Sequence, residues 1–201
     1  MSTKAVDRMI GVSYCQKVNQ FYRLGNENFC GYKSESEEDY EKSKLARKKY
    51  LTIPNAIYPE QYKPNNIEIP SAKNTIVVVS RLTGRKGTPL MISVIEKLFL
   101  KYPTDLNLVI AGDGPCLIQV EELREKYHWH HRIKLLGSVQ PQKVKEVLAQ
   151  GRIFLNCSLS EAFCMAIVEA ACAGLHVVTT NVGGIPEVLP ESTKDLFCTL
   201  A

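Results

Sequence analysis

From Asn74 onward, short β-branched or apolar runs alternate with longer stretches whose apolar residues recur at helical spacing. Few architectures accommodate this order. Residues 75–80 (TIVVVS) carry no polar interruption until their end, which predicts a strand buried on both faces. Residues 88–102 follow, with Leu90, Met91, Val94, Ile95, Leu98 and Phe99 on one helical stripe. Further strands are expected over 106–111, 133–136, 153–156 and 176–180. Helices are expected over 116–127, where Pro115 stands just before the first turn, over 141–150, and over 160–173, where Gly174 ends the run. Strands linked through helices by short connections predict a parallel sheet. The fold class expected is α/β, a Rossmann-like doubly wound domain from about residue 70.

The first seventy residues follow no such order. Residues 8–13 are compatible with a strand and 16–24 with a helix, and 25–50 form a polar, charged insertion. Pro54, Pro59, Pro64 and Pro70 mark an extended linker. The division expected is therefore 1–70 for the remnant and linker and 71–201 for the Rossmann-like domain.

Composition removes several classes of function. Apolar residues make up 45% of the 201, too many for a disordered chain. The net charge of +4 is too weak, and its lysines and arginines too scattered, to indicate nucleic acid. The densest basic group, Lys42, Lys44, Arg47, Lys48 and Lys49, follows an acidic stretch and reads as a solvated face. Seven cysteines, with no C-x-x-C pair, suggest core filling in a reducing compartment. The Asn156-Cys157-Ser158 sequon ends an apolar run, where a glycosylated surface residue is not expected. His128, His130 and His131 surround Trp129 without a second ligand group at matching spacing, so no metal site is expected there. Neither a signal peptide nor an apolar run of bilayer length is expected.

In open α/β sheets, ligands bind where strands end and helices begin. Four such turns carry chemistry. The first, Ser80 to Gly87 (SRLTGRKG), places Arg81 and Lys86 at that edge; Arg offers a planar fork to phosphate oxygens and Lys a movable charge. Gly84 allows a tight loop. The second, Gly112-Asp113-Gly114-Pro115, allows a ligand to lie against the backbone, although Asp-Gly is also an ordinary turn. The third holds Glu161 and Glu169. On one continuous helix their spacing gives an ~80° offset and ~12 Å of rise, so that both carboxylates can face one groove. Free N–H groups at that helix start attract anions. Glu169 is surrounded in sequence by Ala166, Ile167, Val168, Ala170, Ala171 and Cys172, so its charge requires a partner. The fourth turn, Val182-Gly183-Gly184-Ile185-Pro186-Glu187, leads into a short helix near the same edge.

Taken together, an Arg and a Lys five apart, a G-D-G-P turn, an E-x7-E pair and a late glycine pair resemble the donor-binding domain of GT-B glycosyltransferases of family four. The resemblance covers about residues 8–24 and 51–191. Most members carry glycine where this chain has Ala162 and Cys164. The runs EAFCMAIVEA, VGGIPEVLPE and VVVSRL-x3-KG are similar to the members that move N-acetylglucosamine onto phosphatidylinositol.

The resemblance implies a retaining transferase using UDP-N-acetylglucosamine. It implies Glu161, Arg81 and Lys86 as catalytic residues, and Gly84, Gly112, Gly114, Phe163, Cys164, Met165, Ala166 and Glu169 as donor-binding residues. Glu169 would bind the ribose hydroxyls and Glu161 the transferred sugar. No cofactor is implied, and no metal, because no D-x-D pair occurs. The implied partners are the nucleotide sugar, phosphatidylinositol and other subunits of a membrane transferase at the cytosolic face of the endoplasmic reticulum. Most of the first domain and a C-terminal membrane segment have no counterpart here, and Tyr58 replaces a linker aspartate. A truncated form that binds donor without transferring sugar is therefore expected. The alternatives are a GDP-mannose-dependent mannosyltransferase and a non-catalytic nucleotide-sugar-binding module.

Overall fold

The computed structural model describes residues 57, 61–62, 74–102, 106–188 and 197–198. The strand and helix expected over 8–24, the polar insertion, the basic group at 42–49 and most of the proline-marked linker lie outside them.

Six parallel strands form one sheet: β1 (Thr75–Val79), β2 (Asn107–Ala111), β3 (Ile133–Leu135), β4 (Ile153–Asn156), β5 (His176–Thr180) and β6 (Phe197–Cys198). Their order across the sheet is β3-β2-β1-β4-β5-β6. The helices between them are α1 (Thr88–Lys101), α2 (Leu117–Lys126), α3 (Val144–Leu148), α4 (Met165–Cys172) and α5 (Ile185–Val188). One turn of 3-10 helix, Pro141–Lys143, precedes α3 and replaces the first turn of the helix expected from residue 141.

The central strands β1, β2 and β4 are apolar on both sides because each side meets helices. Ile76 and Val78 of β1 pack with Met91, Ile95 and Phe99 of α1 and with Val120 and Leu123 of α2. Val77, between them, points to the opposite layer, with Val147 and Leu148 of α3, Ile167 and Val168 of α4, and Ile185 of α5. The period-two alternation of β1 thus divides the core into two layers, the doubly wound arrangement expected from the sequence.

Trp129 is buried, stacks on Tyr127 at 4.4 Å and meets Phe99 edge-on at 5.0 Å. Arg132 lies over the Phe99 ring and donates to the carbonyls of Tyr102 and Leu106. His130 contacts Glu125 at 3.2 Å. Among the described residues no group of three or more His, Cys, Asp or Glu side chains is placed to hold a metal ion. Cys116, Cys157, Cys164 and Cys172 are in no disulfide, and Cys157 is buried in the core, in keeping with core filling. Asn156 is also buried, at 6% exposure, which disposes of the sequon as a surface acceptor.

Candidate functional site

The strand order reverses direction between β1 and β4, and in such sheets the crevice beyond the carboxyl ends of those strands is where ligands bind. A cleft of about 400 Å³ opens there. Val79, which ends β1, and Ser80 and Arg81, which follow it, line the cleft together with Lys86. Asn156, at the end of β4, and Glu161 line it as well. Ala162, Phe163, Cys164, Met165 and Ala166, leading into α4, complete it. Of the residues expected at the site, Arg81, Lys86, Glu161, Phe163, Cys164, Met165 and Ala166 are thereby brought together. The Phe163 side chain is 3% exposed and belongs to the core.

Gly84, Gly112, Gly114 and Glu169 are not part of the cleft lining. For two of the glycines a packing reason is visible. A Cβ at Gly112 would stand 1.8 Å from the Ser80 carbonyl oxygen, and one at Gly114 would stand 2.4 Å from that of Leu82. The two loops are laced together by Leu82 N–H to the Asp113 carbonyl (2.9 Å) and Cys116 N–H to the Leu82 carbonyl (3.0 Å). The G-D-G-P turn therefore seats the basic loop. Gly84 is exposed, with open space where a side chain would be.

The basic loop is fixed from its other end as well. Gly87 has φ +68° and lies so close to the end of β4 that a Cβ would be 1.7 Å from the Cys157 carbonyl oxygen. Leu159 N–H donates to the Arg85 carbonyl at 2.9 Å. These contacts bring Lys86 over the start of the third turn, where its ammonium pairs with Glu161 Oε2. Glu161 is only 8% exposed. The late glycine pair holds its backbone: Gly184 N–H donates to the Glu161 carbonyl at 2.9 Å, and a Cβ on Gly183 would be 2.1 Å from that oxygen. Three of the four sequence turns thus meet at one glutamate.

Beneath Glu161 lies a polar network that sequence reading missed. Asn156, Ser158, Thr179 and Thr180 are all buried. Asn156 Nδ2 donates to Thr179 Oγ1 at 2.9 Å, and the Ser158 hydroxyl lies 3.0 Å from Asn156 Oδ1 and 3.4 Å from Glu161 Oε2. The available signal was polar residues closing two apolar strands, LNCS and VVTT, at the ligand-binding edge.

The helix expected from residue 160 begins instead at Met165. Residues 157–164 run as a loop because they bond to the basic loop and the glycine pair. The helical offset drawn between Glu161 and Glu169 therefore does not apply, since only Glu169 is on α4. Cys164 immediately precedes α4 in the left-handed region, φ +61°. Glycine adopts that conformation without strain, whereas a cysteine there is strained. Burial, and then the Glu161 charge, push the Cys164 thiol up to about 11. It stays protonated at neutral pH, so peptide mass spectrometry should find Cys164 largely unmodified after iodoacetamide treatment of the folded chain at pH 8. Alkylation should be rapid only in denaturant.

Glu169 has the partner that its apolar surroundings demanded: Tyr62 donates its phenol hydrogen to Glu169 Oε1 at 2.9 Å. Burial raises the Glu169 carboxyl above its ordinary value, and the Tyr62 hydrogen bond opposes that rise. Tyr62 is itself pushed up to about 12, by burial first and then by Glu169, so it remains a donor. A carboxyl raised on folding binds more protons folded than unfolded between its two pKa values. Stability contributed by this group is thus lost as pH rises from the ordinary carboxyl value through the raised one. Chemical denaturation across that window should show a shallower decline with pH for Glu169→Gln than for the unchanged chain.

An all-parallel, doubly wound sheet, with two cations and a paired carboxylate lining the cleft at its switch point, defines a Rossmann-like α/β domain. Solved structures share the fold: HepE of Anabaena, crystallised with UDP and glucose, superposes with a TM-score of 0.69 at 20% identity, covering 95% of this chain and 53% of that one. WaaG, a glycosyltransferase involved in lipopolysaccharide biosynthesis, gives 0.69 at 22% identity, covering 86% and 48%. Residues 60–198 match the family described as glycosyl transferases group 1, and the chain belongs to that family. Among curated relatives, a phosphatidylinositol N-acetylglucosaminyltransferase subunit of Homo sapiens is 56% identical over 140 residues, 70% of this chain and 28% of that protein. The Arabidopsis thaliana protein of the same name is 42% identical over 183 residues, 90% and 41%. The chain therefore spans well under half the length of these relatives.

Proposed function

We propose that this chain forms the donor-binding half of a retaining transferase that moves N-acetylglucosamine from UDP-N-acetylglucosamine to phosphatidylinositol, the first step of glycosylphosphatidylinositol anchor synthesis. The observation that carries the reading is the Lys86–Glu161 pair beside Arg81 at the switch point. Arg81, Lys86 and the N-terminus of α4 meet the charge that develops on the departing diphosphate. Glu161 receives the transferred sugar, and Glu169, released from Tyr62, receives the ribose hydroxyls. The names and identities of the curated relatives support the choice of sugar and acceptor over the GDP-mannose alternative. Assembly with other subunits at the endoplasmic reticulum membrane belongs to the same reading; among the described residues no helix is long and apolar enough to cross a membrane.

Two cations and a helix terminus supply positive charge to the diphosphate without a metal, so UDP affinity should survive excess chelator. A large loss restored by magnesium or manganese would overturn metal independence. The transferase reading is tested by a chimera in which residues 74–188 replace the matching segment of the human relative. Membranes of cells lacking that relative should regain N-acetylglucosamine transfer to phosphatidylinositol with the chimera, and should not with its Lys86→Ala form. A well-expressed chimera without transfer would contradict the proposal.

A further inference from the structure

We infer that Ser158 is a positioning residue for Glu161: its hydroxyl exchanges acceptors, from Asn156 to Glu161, when a diphosphate draws Lys86 away. This rests on the donor-binding reading of the cleft.

Among the described residues, two side chains contact the Glu161 carboxylate, the Lys86 ammonium and the Ser158 hydroxyl, and both meet Oε2. Ser158 is wholly buried, and its single O–H faces two acceptors. Asn156 Oδ1 is the nearer at 3.0 Å, and Glu161 Oε2 lies at 3.4 Å. While Lys86 supplies Glu161, the proton goes to Asn156. Lys86 and Arg81 line the same cleft, so a bound diphosphate competes with Glu161 for the ammonium. A carboxylate left at 8% exposure without a donor is costly. A hydrogen bond to a charged acceptor is roughly twice as strong as one between neutral groups, so rotation of the Ser158 hydroxyl onto Glu161 is favourable at that moment. The rest of the network does not need to move. Asn156 keeps its bond to Thr179, and Thr180 Oγ1 donates to the Ser158 carbonyl, fixing the backbone about which the hydroxyl turns. Sugar hydroxyls, once present, supply Glu161 with donors of their own.

Three ligands separate this role from a merely structural one. Uridine leaves Lys86 on Glu161, UDP removes it, and UDP-N-acetylglucosamine removes it while bringing sugar hydroxyls. Calorimetric titration of Ser158→Ala should show UDP weakened about tenfold, the scale of exchanging a neutral for a charged hydrogen bond. Uridine should be unchanged and UDP-N-acetylglucosamine less affected than UDP. Ser158→Cys keeps the size and a weak S–H donor; it should fall between Ala and the unchanged chain, and it carries the test if Ser158→Ala does not fold. Equal losses for all three ligands, or none for UDP, would overturn the inference while leaving donor binding intact. If the unchanged chain binds no UDP, the donor-binding reading fails and this role fails with it.

Discussion

Replacing Lys86 with Ala should weaken UDP binding by roughly 1.5–3 kcal/mol, about 10- to 150-fold, the scale of a hydrogen bond between charged groups. Arg81→Ala should cost a similar amount, and uridine, which has no phosphates, should lose far less in both. The two variants should differ in stability. Arg81 is exposed, whereas Lys86 is paired with a carboxylate that is 8% exposed. Removing the ammonium leaves Glu161 with the Ser158 hydroxyl alone, and stranding a buried charge destabilises a fold by several kcal/mol when burial is complete. The double variant Lys86→Met/Glu161→Gln removes both charges, so it should recover most of the stability lost in Lys86→Ala without recovering UDP affinity. Thermal unfolding and calorimetry on the unchanged chain and these three variants make the comparison. Recovery of both quantities together would show that Lys86 serves the fold and not the ligand.

The second large effect lies at Gly87. Substitution by Ala places a Cβ 1.7 Å from the Cys157 carbonyl oxygen at a backbone φ of +68°. That oxygen belongs to the chain leaving β4, so it cannot rotate aside as a flexible side chain would. Overpacking of this kind costs about 1–3 kcal/mol and a left-handed non-glycine residue about 1–2 more. Gly87→Ala should therefore lose ~2–5 kcal/mol in denaturant unfolding, and UDP binding should weaken because the loop bearing Lys86 is displaced. Gly84→Ala is the control: nothing lies within 4 Å of its Cβ, and its stability should be nearly unchanged.

The centre of the sheet was legible because β1, β2 and β4 are mostly apolar, and α1 because its stripe is regular over 14 residues. Elements in the second half were less so. The segment before α4 is apolar and small, which reads as helix, but its carbonyls and amides bond to Arg85 and Gly184 instead. Tertiary hydrogen bonds of that kind leave no periodic trace. The two residues of β6 were not foreseen, being too short to show alternation. Arg81, Lys86 and Glu161 were singled out because charge at a strand end is conspicuous, and the three line one cleft. The partner demanded for Glu169 exists, although nothing in the sequence pointed to Tyr62, 107 residues away. The Asn156–Ser158–Thr179 network was missed because small polar residues at strand ends resemble ordinary turn residues. Gly112 and Gly114 show the converse: glycines read as open to a ligand are required by the packing of the two loops.

Everything proposed for this chain depends on what the cleft binds. Titration of the purified chain with UDP, GDP and UDP-N-acetylglucosamine decides it. Saturable binding of UDP and UDP-N-acetylglucosamine, with GDP clearly weaker and with UDP falling toward the affinity of uridine when Arg81 and Lys86 are both replaced, is the predicted result. Preference for GDP, or UDP affinity undiminished by loss of both cations, would contradict it.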